Sequence, residues 1–200
     1  MEEYLSVYDE SLQYIGRELR EKVHLNGKWH YVFHCWVYNK TTGDIILQKR
    51  AETKKIFPNA YDASCTGHYS SEETFESTRE LEEELGVTCD YKALNHLLDF
   101  RDVFMSSQMY DREVSRVHLL IVDEFVPEPL TPDEISAIVA CPIGELIAMI
   151  NGNMRSVSLK VLFGETEDAL IEREMLVPRN PQYYREVMAA LEKHITKLSL

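Results

Sequence analysis

The stretch that most constrains this chain runs from Gly67 to Val87, where a glycine turn leads into a short helix that ends in a pile of carboxylates. Ser70 followed by Glu73 has the spacing of a capping box, which predicts a helix beginning near Ser71. Gly86 supplies the residue that ends it. At about 100° per residue, Glu80, Glu83 and Glu84 share one face and Thr74, Thr78, Leu81 and Leu85 the opposite one.

The acidic face lies at the wrong end of its helix. Glu82, Glu83 and Glu84 crowd the last turn with no Lys or Arg among them. Each such charge costs on the order of 0.3–1 kcal/mol against the helix dipole, and like charges one turn apart add to it. A solvated acidic surface tolerates that. A bound divalent cation relieves it, because clustered carboxylate oxygens are the donors Mg²⁺ or Mn²⁺ prefers.

Composition narrows the setting. Two hundred residues, 44% hydrophobic with 8 Gly and 7 Pro, predict one domain over 1–200 with a substantial core. Its core spans about 28–152, flanked by an N-terminal hairpin (1–27) and a C-terminal extension (153–200). The formal charge of −13 argues against a duplex nucleic-acid partner, and an anionic substrate requires local cations to offset it. No run approaches the roughly 20 apolar residues of a membrane helix, so no membrane partner is expected. An acidic N-terminus without an apolar run, and four scattered cysteines (Cys35, Cys65, Cys89, Cys141) without C-x-x-C spacing, predict a reducing, cytoplasmic setting.

Along the chain, Tyr4–Tyr8 and 13–16 form a predicted hairpin, with 17–23 leading away and 24–28 a polar turn. Its free edge is a candidate pairing surface for a homodimer. Residues 29–39, aromatic and β-branched, predict a strand returned through 40–44 by 45–49. Residues 48–51 are a basic cluster, either a charged strand end or, with Lys54 and Lys55, a phosphate clamp. Residues 62–66 are a short strand into Gly67, 94–103 and 114–125 are strands, and 105–111 a loop. Residues 135–139 follow a proline-marked turn, and 142–151 form a helix. Residues 157–163 carry no clear state. Pro181–Leu198 reads as a helix presenting Tyr184, Val187, Met188, Leu191 and Ile195 to the domain. This order fits an α/β sandwich around a mixed sheet.

The string Arg79-Glu80-Leu81-Glu82-Glu83-Glu84-Leu85-Gly86-Val87 resembles the end of the Nudix box, R-E-U-x-E-E-x-G-U with U apolar, at every fixed position. Gly67 and Glu73 match its front, but Thr74 to Thr78 leave two residues fewer than the box has before Arg79. The resemblance implies a Nudix-like α/β/α sandwich. Outside the box, 29–39, 48–62 and 111–114 resemble the isopentenyl diphosphate isomerase branch of that superfamily. That branch implies metal ligands at His24, His30, His68, Asp111 and Glu113. It also implies an acid–base Cys two residues before His68, where this chain has Thr66; Cys65 falls one residue early, on the other face of a strand. A Thr hydroxyl cannot take over that acid–base work.

The function that follows is metal-dependent hydrolysis of a small molecule in which a diphosphate is linked to another moiety, such as a nucleoside diphosphate derivative. Glu80, Glu83 and Glu84, with Gly67, are the expected ligands of Mg²⁺ or Mn²⁺, and Glu83 or Glu80 the base that accepts a proton from water. Arg79 orients them. Lys49, Arg50, His30, His68 and Glu113 are the expected substrate contacts, and Glu113 or Glu134 a further acid or base. Phe57, Tyr61, Phe104 and Tyr110 either hold the organic group or fill the core. His34, His96 and His118 read as ordinary satisfied histidines. The rivals are an isomerase, a non-catalytic diphosphate sensor and a domain whose acidic helix is merely solvated.

Overall fold

The computed structural model describes residues 2–105 and 110–198. The chain opens with β1 (Tyr4–Tyr8), β2 (Tyr14–Leu19) and α1 (Arg20–Asn26), then β3 (Trp29–Asn39), β4 (Asp44–Arg50), β5 (Tyr61–Asp62) and β6 (Cys65–His68). After α2 (Arg79–Leu85) come β7 (Leu94–Met105), β8 (Tyr110–Val122), β9 (Ile135–Pro142) and α3 (Ile143–Ile150). The tail holds β10 (Ser156–Ser158), β11 (Lys160–Gly164), β12 (Leu170–Glu172) and α4 (Pro181–Leu198).

The centre of the sheet is β3, whose run of aromatic and β-branched residues is buried on both faces. It pairs in parallel with β8 from Trp29↔Arg112 to Asn39↔Val122. Its other edge is shared by β1, β6 and β4. The main path runs β11-β9-β4-β3-β1-β2, with β7 on β8 and β5 on β4, so the sheet is mixed.

Alternation along the central strands sends successive side chains to two cores. Trp36, Tyr38, Ile45 and Leu47 face α3 and α4, where Tyr183, Val187, Met188 and Leu191 are buried. Phe33, Cys35, Val37 and Ile46 face α2, whose Leu81 and Leu85 are fully buried. Helices on both faces make the expected α/β/α sandwich. A smaller core joins Leu5 and Val7 of the hairpin to Val23 of α1. Among the described residues, no helix is long and apolar enough to cross a membrane.

Four local expectations need correction. Residues 24–28 are not a polar turn: His24 lies on α1, which ends at Gly27 with φ 60°. This helix buries only Val23, so periodicity has almost nothing to register. The box helix starts at Arg79 rather than near Ser71. Glu73 does accept a hydrogen bond from the Ser70 N–H at 2.8 Å, but its other bonds go to Ser77 and Arg79, and residues between them are held in turns. The expected strand 62–66 is broken at Ala63 and Ser64, where the Ser64 hydroxyl donates to Ile46 O and accepts from the Val37 N–H. The expected loop 105–111 falls partly outside the described residues; Met105 ends β7, and Tyr110 and Asp111 begin β8.

Candidate active site

Four elements bring a histidine and carboxylate cluster together. His30 opens β3 and stands in register with Glu113 of β8. His68 ends β6 opposite Val32, α1 delivers His24, and Asp111 sits two residues before Glu113 on the same face of its strand. Nε2 of His24 lies 3.1 Å from Nε2 of His68. Oδ1 of Asp111 lies 3.7 Å from Nε2 of His24 and 3.6 Å from Nε2 of His30.

The protonation pattern leaves two of these atoms without partners. Nδ1 of His30 is 3.0 Å from the Lys28 carbonyl, an acceptor, so Nδ1 carries the proton and Nε2 a lone pair. That Nε2 and Asp111 Oδ1 are both buried with no hydrogen-bond partner. Burial, then the charge of His30, pushes the His24 pKa down to about 4. Burial likewise lowers His30, and burial followed by Arg20 holds His68 well below the ordinary imidazole range. Burial raises Asp111 to about 6. Neutral imidazoles and a carboxylate aiming lone pairs at one point are a donor set that fits a divalent cation. Two groups of three ligand atoms, each within 4.8 Å, share His30: His24 and His68 complete one, Asp111 and Glu113 the other.

Behind β6, the box helix satisfies the strand's free edge. Glu84 Oε2 accepts from the Thr66 N–H at 2.8 Å and from Gln48 Nε2 at 3.0 Å. Arg79 donates to the His68 carbonyl at 3.1 Å. The same guanidinium reaches both oxygens of Glu73, at 3.0 and 3.2 Å, and Glu80 and Glu83 at 2.6 Å each. Gly67 lets Glu80 approach the backbone: a Cβ there would lie 2.0 Å from the Glu80 carboxyl carbon. Burial, then the charge of Glu84, raises Glu80 to about 8, and burial raises Glu84 to about 7. A cation beside two such carboxyls reverses that cost, so this donor set also fits a divalent ion.

In front of β6 lies a cavity of about 140 Å³ lined by Thr66, Gly67, Asp111, Glu113 and, from the tail, Arg179. The neighbouring groove is basic, with Arg20, Arg50, Lys54 and Lys55 beside His24. Phe57 and Phe104 border both spaces and pack edge to face at 4.9 Å. Cys65 points away, fully buried against the box helix, while the next residue, Thr66, faces the cavity.

Most expected site residues converge here: His30, His68, Glu113 and Arg50 in front of β6, and Arg79, Glu80, Glu83 and Glu84 behind it, with Gly67 between. Lys49 does not. It follows Ile45 and Leu47 to the opposite face of β4, where its Nζ is held by Asp168 at 2.7 Å and Thr166 at 3.0 Å. Glu134 is tied to Lys54 at 2.5 Å on the surface. Tyr61 is buried in the core beside that Lys49 cluster, and Tyr110 lies over Gly27. His34 was expected to be an ordinary satisfied histidine, and it does share a 2.7 Å hydrogen bond with Tyr183, but it also lines the cavity. Gln48, Arg20, Asp62 and Arg179 were not anticipated. Gln48 was accessible in principle, since alternation places it on the face of Ile46. Arg179 carries no local signal.

A family model described as the NUDIX domain matches residues 28–161. The chain is 31% identical over 200 residues to an uncharacterised Nudix hydrolase of Clostridium acetobutylicum, covering 95% of this chain and 97% of that protein. It is 29% identical over 154 residues to isopentenyl-diphosphate Delta-isomerase 2 of Photorhabdus laumondii, covering 76% and 84%. A crystal structure from Deinococcus radiodurans matches with a TM-score of 0.55 at 26% identity, over 76% of this chain and 91% of that one.

Proposed function

The chain belongs to the Nudix family, as a hydrolase of diphosphate bonds, and we propose that its substrate is a small molecule with a diphosphate linked to another moiety, cleaved with Mg²⁺ or Mn²⁺ bound. The observation that carries this reading is the pair His30 Nε2 and Asp111 Oδ1, buried lone-pair atoms without partners beside a basic groove. A divalent ion held there or at the box supplies charge to the phosphates and lowers the pKa of a water.

The protein's own groups divide the rest of the work. Glu80, Glu83 and Glu84 would hold an ion at the box with the Gly67 carbonyl; His24, His30, His68, Asp111 and Glu113 would hold one at the cluster. Arg79 fixes the orientation of Glu80 and Glu83, either of which accepts the proton of the attacking water. Arg50, with Lys55, meets the phosphate farther from the box, a local positive charge within a chain of formal charge −13. Phe57 and Phe104 receive the organic group.

The test is a panel of nucleoside diphosphate derivatives and alkyl diphosphates, incubated with Mg²⁺ and with Mn²⁺ and followed by phosphate release and mass spectrometry. Binding without release would favour a sensor. One observation favours isomerisation instead: the five ligand positions implied by the resemblance to the isomerase branch lie together. Thr66 in place of a thiol weighs against it. Rapid conversion of isopentenyl diphosphate into its allylic isomer would decide for the isomerase.

A further inference from the structure

We infer that Arg179, delivered by the C-terminal extension, is a positioning residue for Glu113 and so a component of the active site that lies outside the matched family region, 28–161. This rests on Glu113 belonging to the metal-binding cluster. Nη1 of Arg179 donates to Glu113 Oε1 at 2.7 Å, and Nη2 reaches Asp62 at 3.1 and 3.3 Å. Ser115 Oγ donates to the same Oε1 at 3.2 Å. Both hydrogen bonds that the Glu113 carboxylate accepts among the described residues therefore land on one oxygen. The second oxygen accepts none among the described residues, and Glu113 lines the cavity.

The segment that carries Arg179 is fixed from both sides. Before it, the Val177 N–H donates to Tyr61 O at 2.8 Å, and the Tyr184 hydroxyl donates to Val177 O at 2.8 Å. After it, the Asn180 N–H donates to Asp102 at 3.3 Å, and the guanidinium lies 5.2 Å from the Tyr183 ring centre. The side chain is thus held before any ligand arrives. Its planar fork joins carboxylates on two separate strands, Asp62 on β5 and Glu113 on β8; a Lys ammonium offers the charge without that geometry.

Two variants test the role. Arg179→Lys keeps the charge and removes the fork; Arg179→Ala opens a space that guanidinium ion can enter. For each, steady-state kinetics on the best substrate of the panel are read beside Mn²⁺ affinity, measured from the electron paramagnetic resonance of free Mn²⁺, and the melting temperature. The expected result for Arg179→Lys is a kcat and an Mn²⁺ affinity each lower by about 10–100-fold, with KM within about 2-fold. Guanidinium is expected to restore part of the kcat of Arg179→Ala without changing the wild type. Wild-type kcat and Mn²⁺ affinity in Arg179→Lys would overturn the inference, as would a folded Arg179→Ala that guanidinium leaves inactive. A wild-type protein that binds no Mn²⁺ would overturn the metal reading itself.

Discussion

The backbone N–H of Thr66 donates to Oε2 of Glu84 at 2.8 Å, so the strand that faces the cavity is fastened to the box helix through a carboxylate. Glu84 therefore holds β6, and on the proposed function it would also offer an oxygen to a cation. A Gln at position 84 keeps an acceptor for Thr66 and removes the charge. Glu83→Gln combined with Glu84→Gln is expected to abolish metal-dependent turnover, a loss on the order of 10²–10⁴-fold or more, while circular dichroism stays native. Retained turnover would move catalysis away from the box.

Mn²⁺ is expected to raise the melting temperature, because the cluster is assembled in the folded chain and dispersed in the unfolded one. At a concentration 100 times the Kd, the stabilisation is about 2.7 kcal/mol, or several degrees for a chain of this size. His30→Ala and His68→Ala should each weaken that response. An unchanged melting curve in wild-type protein would remove the metal from both sites.

The legible parts of this molecule were those whose geometry is set within a few residues. Arg79 to Gly86 falls within one short helix, so its shared face could be read from spacing, and the opposite orientations of Cys65 and Thr66 follow from strand alternation alone. The clamp expected at Lys49 and Arg50 fails at Lys49, whose ammonium is held by Asp168 and Thr166, and the strand register shifts between the two residues. The cluster of His24, His30, His68, Asp111 and Glu113 was reachable only through family resemblance; no local period links α1 to β8. Arg179 was beyond reach, because its place depends on how Val177 and Asn180 are tied to β5 and β7.

Lys49 and Arg50 make a paired test. Lys49→Met is expected to leave kcat/KM within about 2-fold and to cost about 1 kcal/mol of stability, since its ion pair with Asp168 is only partly exposed. Arg50→Met should raise KM by about 10-fold, as expected for loss of one charge-assisted phosphate contact. The reverse pattern would place the phosphates on the other face of β4.

Thr66→Cys should put a thiol into the cavity. Cys35, Cys65 and Cys141 are buried, and burial raises each of their pKa values, so native wild-type protein should resist alkylation except at the half-buried Cys89. Iodoacetamide labelling followed by peptide mass mapping should find position 66 as an additional modified site. If it stays unmodified while Cys65 reacts, the orientation of β6 is reversed.

Acid should weaken the fold through His118, which burial, then His96, holds down to about 4 and which packs on Phe33. Its folded pKa lies below its unfolded value near 6.5, so the unfolded chain binds more protons as pH falls. The stabilising contribution is therefore complete above about 6.5 and is lost toward 4. By pH 5 that loss amounts to about 2 kcal/mol. Glu80 and Glu84 act in the opposite sense in metal-free protein: their raised pKa values give stability at low pH that is lost as pH rises through about 7 to 8. Replacement of His118 isolates the first effect. In chelator, denaturant titrations of wild type and His118→Phe at pH 7.5 and pH 5 should show the variant gaining on wild type by about 1–2 kcal/mol at the lower pH. A difference independent of pH would mean that His118 carries a proton in the folded chain.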